Sequence, residues 1–279
     1  ERALTALAQP VLLPVLNEWL DEPTRQAASL IPDSELVERP DFTKYVWDLE
    51  PARMADLIRP FLDRSPRRAG PVPAAPRLAE PHGAPVVNAS VNGFTQHWRG
   101  YVSNRYGQMH IRSARPAQPS EGIKAPVLLL HPNPVSGNAF KELLQALGSD
   151  RTVHAPDMPG FGDSDRPGTE PTIADLARAT AESLRELGYD ATRAGQLDVF
   201  GVGMGAYIAT ELARQAPGLI RRVTLCGVPY YPAHTRSYDF FTDPDYVDRL
   251  YKRIVEAGDA RLPFRRRLEH FTDHMLTGR

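Results

Sequence analysis

In the stretch LDVFGVGMGAYIATELARQ (Leu197–Gln215) an apolar run meets a glycine-rich turn, Gly201-Val202-Gly203-Met204-Gly205, and then a helical pattern. The first amides of a helix have no partner within it, and the helix dipole adds partial positive charge there, so a helix opening at Met204 offers N–H groups to an electron-rich oxygen. Neither GVGMG nor HPNPVSGNAF is followed by the Lys-Ser/Thr pair that a phosphate-cradling loop requires. His270 and His274 stand four residues apart in a helical pattern, a spacing that suits a metal. No third ligand is placed by the sequence, so the pair reads as a surface feature, and no metal or other cofactor is expected.

These residues need a scaffold, and 279 residues suffice for one sizeable α/β domain or two small ones. A formal net charge of -1 argues against broad electrostatic binding to nucleic acid or acidic membranes. Arginine runs such as Arg265–Arg267 read as solvated helix faces. Cys226, the single cysteine, lies in the apolar run VTLCGVP and reads as a buried strand residue. Without a second cysteine there is no disulfide framework within the chain, which fits a reducing compartment, and a cytoplasmic location is the expectation. No apolar run reaches the ~18 residues of a membrane span. The opening ERALTALAQP lacks a signal-peptide profile and an initiator methionine, so the natural N-terminus is expected upstream or removed.

Four segments are expected. Residues 1–64 alternate strand and helix: QPVLLPVL, DEPTRQAASLI, SELVERP, and EPARMADLIRPFLDR with one apolar face of Met54, Leu57, Ile58, Phe61 and Leu62. Residues 65–92 are rich in Pro, Ala and Arg and read as an extended linker without regular elements. Residues 93–229 begin with a hairpin turning at Arg105–Gly107. APVLLLH, RTVHAPD, QLDVFG and IRRVTLCGVP then read as strands alternating with helices, one of them capped by Thr172. That order predicts a mostly parallel sheet with helices on both faces. Residues 230–279 mix aromatic and charged residues at helical spacing, as in a helical lid.

Three motifs, in order, resemble the α/β-hydrolase superfamily: LLLHPNP resembles the H-G-x-P turn, with Pro132 for the glycine. APDMPGFGDSDRP resembles the D-x-P-G-x-G-x-S segment, and FGVGMGAYIA resembles the strand–turn–helix elbow that carries the nucleophile. The resemblance extends to residues 1–64, which are similar to the C-terminal part of the same fold. The segments therefore run in permuted order, as in a circular permutant or a piece cut from a tandem repeat.

The family's hydrolases use a nucleophile, a histidine base and an acid that orients it. By the resemblance, Gly203 occupies the nucleophile position without a side chain, which excludes covalent acyl-enzyme chemistry from that residue. Lys44, in PDFTKYVWD, stands where the histidine is expected, or Thr43 or Tyr45 if the short loop slips by one; residues 1–64 contain no histidine. The acid position falls to Asp21 or Glu18. What remains is an oxyanion-type hole formed by the N–H groups of Met204 and Asn133. Lys44 is read either as a proton donor or cation facing the bound oxygen, or as a lysine paired with Asp41, Glu18 or Asp21. His131 stands at the cleft rim, as a catalytic group or as a support of the turn, and Pro132, Pro134, Tyr230 and His234 line the substrate's place. The expected function is non-covalent chemistry on a small carbonyl compound, of lyase, dehydratase, decarboxylase or cyclase type. The alternatives are an inactive pseudohydrolase that binds a ligand or supports assembly, and an ester or C–C hydrolase with displaced catalytic residues. The partners expected are a small molecule and, in a homo-oligomer or a pairing with a sister hydrolase-like copy, a second fold of the same kind.

Overall fold

A computed structural model describes residues 2–16, 20–42, 46–64, 86–90, 93–117, 124–191 and 196–230, with the backbone alone for 86–90, 93 and 94. The expected lid beyond Tyr230 lies outside the described residues. In chain order the elements are α1 (Arg2–Thr5), β1 (Val11–Val15), α2 (Asp21–Leu30), β2 (Ser34–Glu38), α3 (Val46–Leu49), α4 (Pro51–Leu62), β3 (Val86–Ser90), β4 (Gly93–Asn104) and β5 (Gly107–Pro116). They continue with β6 (Val127–Leu130), a 3-10 turn (Gly137–Phe140), α5 (Lys141–Gly148), β7 (Val153–Pro156), α6 (Ile173–Glu186), β8 (Leu197–Val202), α7 (Met204–Gln215) and β9 (Ile220–Cys226).

Among the described residues, one sheet contains all nine strands, in the order β2-β1-β9-β8-β6-β7-β5-β4-β3. From β2 through β7 the neighbours pair in parallel, and β7, β5, β4 and β3 pair antiparallel. The two strands nearest the N-terminus thus form one edge, with β1 against β9 through Val11↔Val223 and Leu12↔Thr224. Val86–Ser90 forms a strand within the stretch expected to lack regular structure. The prolines end at Pro85, and the sequence VVNAS that follows has the β-branched residues a strand favours.

The parallel strands inside the sheet, β1, β9, β8, β6 and β7, are buried on both faces, whereas the edge strand β2 is exposed or half-buried along its length. Along β6, Leu128 and Leu130 join a core with Ile208, Leu212, Leu176 and Leu184, whereas Val127 and Leu129 join a second core with Ile58, Phe140, Leu143 and Leu147. Helices α1, α2, α6 and α7 therefore cover one face and α3, α4 and α5 the other. The capping residue of α6 is Thr172, whose hydroxyl accepts from the Asp175 N–H while the Asp175 carboxylate accepts from the Thr172 N–H, satisfying two otherwise orphaned donors.

Polar contacts also bind α4 to the rest of the molecule. The Arg151 side chain is fully buried and reaches Asp63 at 2.6 Å and Asp150 at 2.8 Å. Lys124 bridges the same two carboxylates at 2.7 and 2.9 Å. Arg221 and Arg222 both donate to the Leu62 carbonyl, one of the acceptors that a helix C-terminus leaves unpaired.

Candidate functional site

After β6 the chain crosses to β7 on one side of that strand, and after β7 it returns to β8 on the other. Helices α5 and α6 make these crossovers on opposite faces, so the C-terminal ends of β6 and β8 form the topological switch point, whose crevice is where an open α/β sheet accepts ligands. The turns at that end are Leu130–Gly137 and Val202–Met204.

At the second of these turns Gly203 has φ 55° and ψ −116°, in the region that glycine adopts freely and other residues adopt only under strain. Its N–H donates to the Cys226 carbonyl at 3.2 Å, and its carbonyl accepts from Ala206 at 3.0 Å. The flanking glycines admit close packing. A Cβ on Gly205 would stand 2.0 Å from the Leu130 carbonyl oxygen, and one on Gly201 2.3 Å from that of Gly205. At Gly203 the nearest atom to an added Cβ is Pro132 Cβ at 3.2 Å, so the two turns face each other there. Met204 opens α7 and its amide lies before the first intrahelical acceptor.

The facing turn is held by His131, which is fully buried. Its Nδ1 lies 3.0 Å from the Pro132 carbonyl, and its Nε2 accepts from the Met158 N–H at 3.0 Å. These partners fix a neutral ring protonated on Nδ1. Burial lowers its pKa to about 4, so it stays uncharged at neutral pH. Pro132 is half-buried, and Asn133 and Pro134 are exposed at the crevice mouth.

Asp21, the first residue of α2, accepts from the Leu16 N–H at 3.3 Å across the turn that follows β1. Because β1 and β2 run parallel to β9, that turn lies at the same end of the sheet as Gly203. Tyr230 is half-buried and, like Met204 and Phe161, packs against the core beneath α7. Glu18, Lys44 and His234 lie outside the described residues, as does the pair His270 and His274.

One part of this region escaped sequence reading. The Asp157 carboxylate, fully buried, accepts from the Gly137 N–H at 2.8 Å, Arg112 at 2.7 Å, His110 at 3.0 Å and the Asp163 N–H at 3.0 Å. Burial pushes its pKa up, but the Asp163 amide, Arg112 and His110 outweigh it and hold the carboxyl below the usual range. Asp157, Asp163 and His110 bring potential metal-ligating atoms within 4.8 Å of one another. Arg112 already supplies positive charge there, at 2.7 Å from Asp157 and 3.8 Å from Asp163. The only hint in the sequence is the spacing of Asp157 from Gly160 and Gly162 in APDMPGFGDS.

The sheet order, the two facing turns and the glycine-tight elbow define an α/β-hydrolase fold. The family model for that fold matches residues 125–278, more than half of the chain, and the chain belongs to this family. Among curated proteins it is similar to a soluble epoxide hydrolase of a Corynebacterium species, at 29% identity over 49% of this chain and 46% of that protein. It is also similar to haloalkane dehalogenase 2 of Mycobacterium tuberculosis, at 31% identity over 54% of this chain and 55% of that protein. The chain thus spans about half the length of the curated relatives it matches. Among solved structures, an N-acyl homoserine lactonase in complex with N-butanoyl homoserine is 29% identical over 47% of this chain and 45% of that one, with a TM-score of 0.40.

Proposed function

We propose that this chain binds a small carbonyl compound between the turns at Pro132 and Gly203 and polarises it without forming a covalent intermediate. The observation that carries the reading is Gly203: at the strand–helix elbow of a hydrolase fold, it offers no atom to attack a substrate. The Met204 amide at the start of α7 and the Asn133 amide on the facing turn are the donors for the carbonyl oxygen. Such donors stabilise the charge that develops on an enolate or a tetrahedral carbon, and removal of one in a related site costs about 3 kcal/mol of transition-state stabilisation. Chemistry of the lyase, dehydratase, decarboxylase or cyclase type needs this polarisation together with a proton carrier. His131 is ill suited to that work, because both its nitrogens are committed to the backbone, and it serves here as the support of its turn. Lys44, Asp21 and His234 are the candidates for proton transfer and for the substrate's surroundings.

A second reading, an ester or related hydrolase, is favoured by the relatives, whose names include an epoxide hydrolase, a haloalkane dehalogenase and a poly(3-hydroxyalkanoate) depolymerase. A fluorophosphonate probe separates the two. Intact-protein mass spectrometry is expected to show no adduct, whereas a stoichiometric adduct on any residue favours the hydrolase.

The same reading assigns residues 1–64 to completing, within one chain, the fold that residues 93–230 form the greater part of. Two observations support it: β1 seats on β9, and Asp63 joins Arg151 and Lys124. The connection is long enough, since residues 65–85 can extend over roughly 70 Å and the six strand spacings from β9 to β3 come to about 29 Å.

A further inference from the structure

A carboxylate has about four lone-pair sites, and those of Asp157 are all used by protein donors. Two of the donors are backbone amides from the loops that build one wall of the crevice: Gly137, which ends the turn bearing Asn133, and Asp163, in the loop after β7. The approach depends on missing side chains. A Cβ on Gly162 would stand 2.2 Å from Asp157 Oδ2, and one on Gly137 2.6 and 2.7 Å from the carbonyls of Ala155 and Pro156. At the other end of the same turn, His131 Nε2 accepts from Met158, the residue after Asp157. The turn His131–Gly137 is therefore pinned at both ends to one short segment, and the Asn133 amide lies between the pins.

We propose that Asp157 is a positioning residue for the crevice: its carboxylate fixes the turn His131–Gly137 and thereby the place of the Asn133 amide, without touching the ligand. The inference rests on the reading of Asn133 and Met204 as a pair of donors. An amide cannot replace the carboxylate. Whichever oxygen becomes NH2, one of the two loop amides loses its acceptor, Gly137 on one side or Asp163 on the other. The titratable and charged groups around Asp157 are Arg112 and His110 from β5, Asp163 from the loop and the neutral His131 from the turn itself.

The test is hydrogen exchange of the backbone amides in residues 131–137, read beside those of β8 and α7, in the wild-type protein and in Asp157→Asn. Asp157→Asn is expected to speed exchange in the turn by about tenfold or more, with β8 and α7 unchanged. Arg112→Gln keeps the carboxylate and both amide bonds but removes the guanidinium, and serves if Asp157→Asn does not fold. In that variant the turn is expected to loosen on acidification at a higher pH than in the wild type, a shift that loss of packing alone does not produce. Unchanged exchange in Asp157→Asn, or the same pH of loosening in Arg112→Gln, overturns the proposal. The infrared band of methyl [1-13C]butyrate, added as the carbonyl probe, is read on the same samples. A band shifted in the wild type and restored toward the free value in Asp157→Asn supports the positioning role. If Asp157→Asn loosens the turn but the wild type shifts no band, the pair of donors is refuted while the clamp on the turn stands.

Discussion

Gly203 is the residue on which the proposed chemistry rests, and its backbone conformation accounts for its identity. At φ 55° any other residue is strained, by about 1–3 kcal/mol, and an added Cβ would press on Pro132 at 3.2 Å. Gly203→Ala is therefore expected to lower the stability by about 1–3 kcal/mol, measured as a fall in the denaturant midpoint. An unchanged midpoint would show that the elbow does not hold this conformation in solution. The sequence alone shows that a glycine stands at the centre of this elbow, because the glycine frame of the turn is local. It does not show the carboxylate that pins the facing turn: Asp157 and Gly137 are 20 residues apart, and a single long-range hydrogen bond leaves no periodic trace.

Local signals were sufficient where an element is set by its own residues. α7 begins at Met204 and ends at Gln215, as its glycine turn and apolar spacing indicate, and Thr172 caps α6 through the box with Asp175. The strand β3 was hidden because proline-rich sequence runs up to its first residue, and α1 and α3, of four residues each, are too short for a periodic pattern. Docking of α4 was only half legible: its apolar face predicts burial, but nothing local announces that Asp63 at its end meets Arg151. Removal of both carboxylate partners would leave the buried guanidinium of Arg151 unpaired, whereas removal of the guanidinium leaves Lys124 on both carboxylates. Arg151→Ala is therefore expected to cost about 1.5–3 kcal/mol in urea unfolding, the scale of the charge-assisted hydrogen bonds lost. A loss below about 1 kcal/mol, the scale of an exposed pair, would mean that α4 does not seat on this network in solution.

At the scale of the whole molecule, the sheet order places the crevice before any side chain is considered. The reversal of strand order around β6 brings the turn after β6 and the turn after β8 together, and the parallel strands β1 and β2 direct their following loops to the same end. The topology thus selects the end of the sheet at which such folds accept ligands, and the proposed chemistry depends on the few groups that the turns present. The proposed polarising site makes a demand that a mere cleft does not: the carbonyl must meet the Met204 amide. Met204 is the first residue of α7, the helical position at which proline is tolerated, so Met204→Pro removes that one donor with the helix retained. The most direct test is the isotope-edited infrared spectrum of methyl [1-13C]butyrate with the wild-type protein and with Met204→Pro. A band at lower wavenumber than the free ester in the wild type, lost in Met204→Pro, with no ester cleaved, is the predicted result; an unshifted band, or one that Met204→Pro leaves in place, would contradict it.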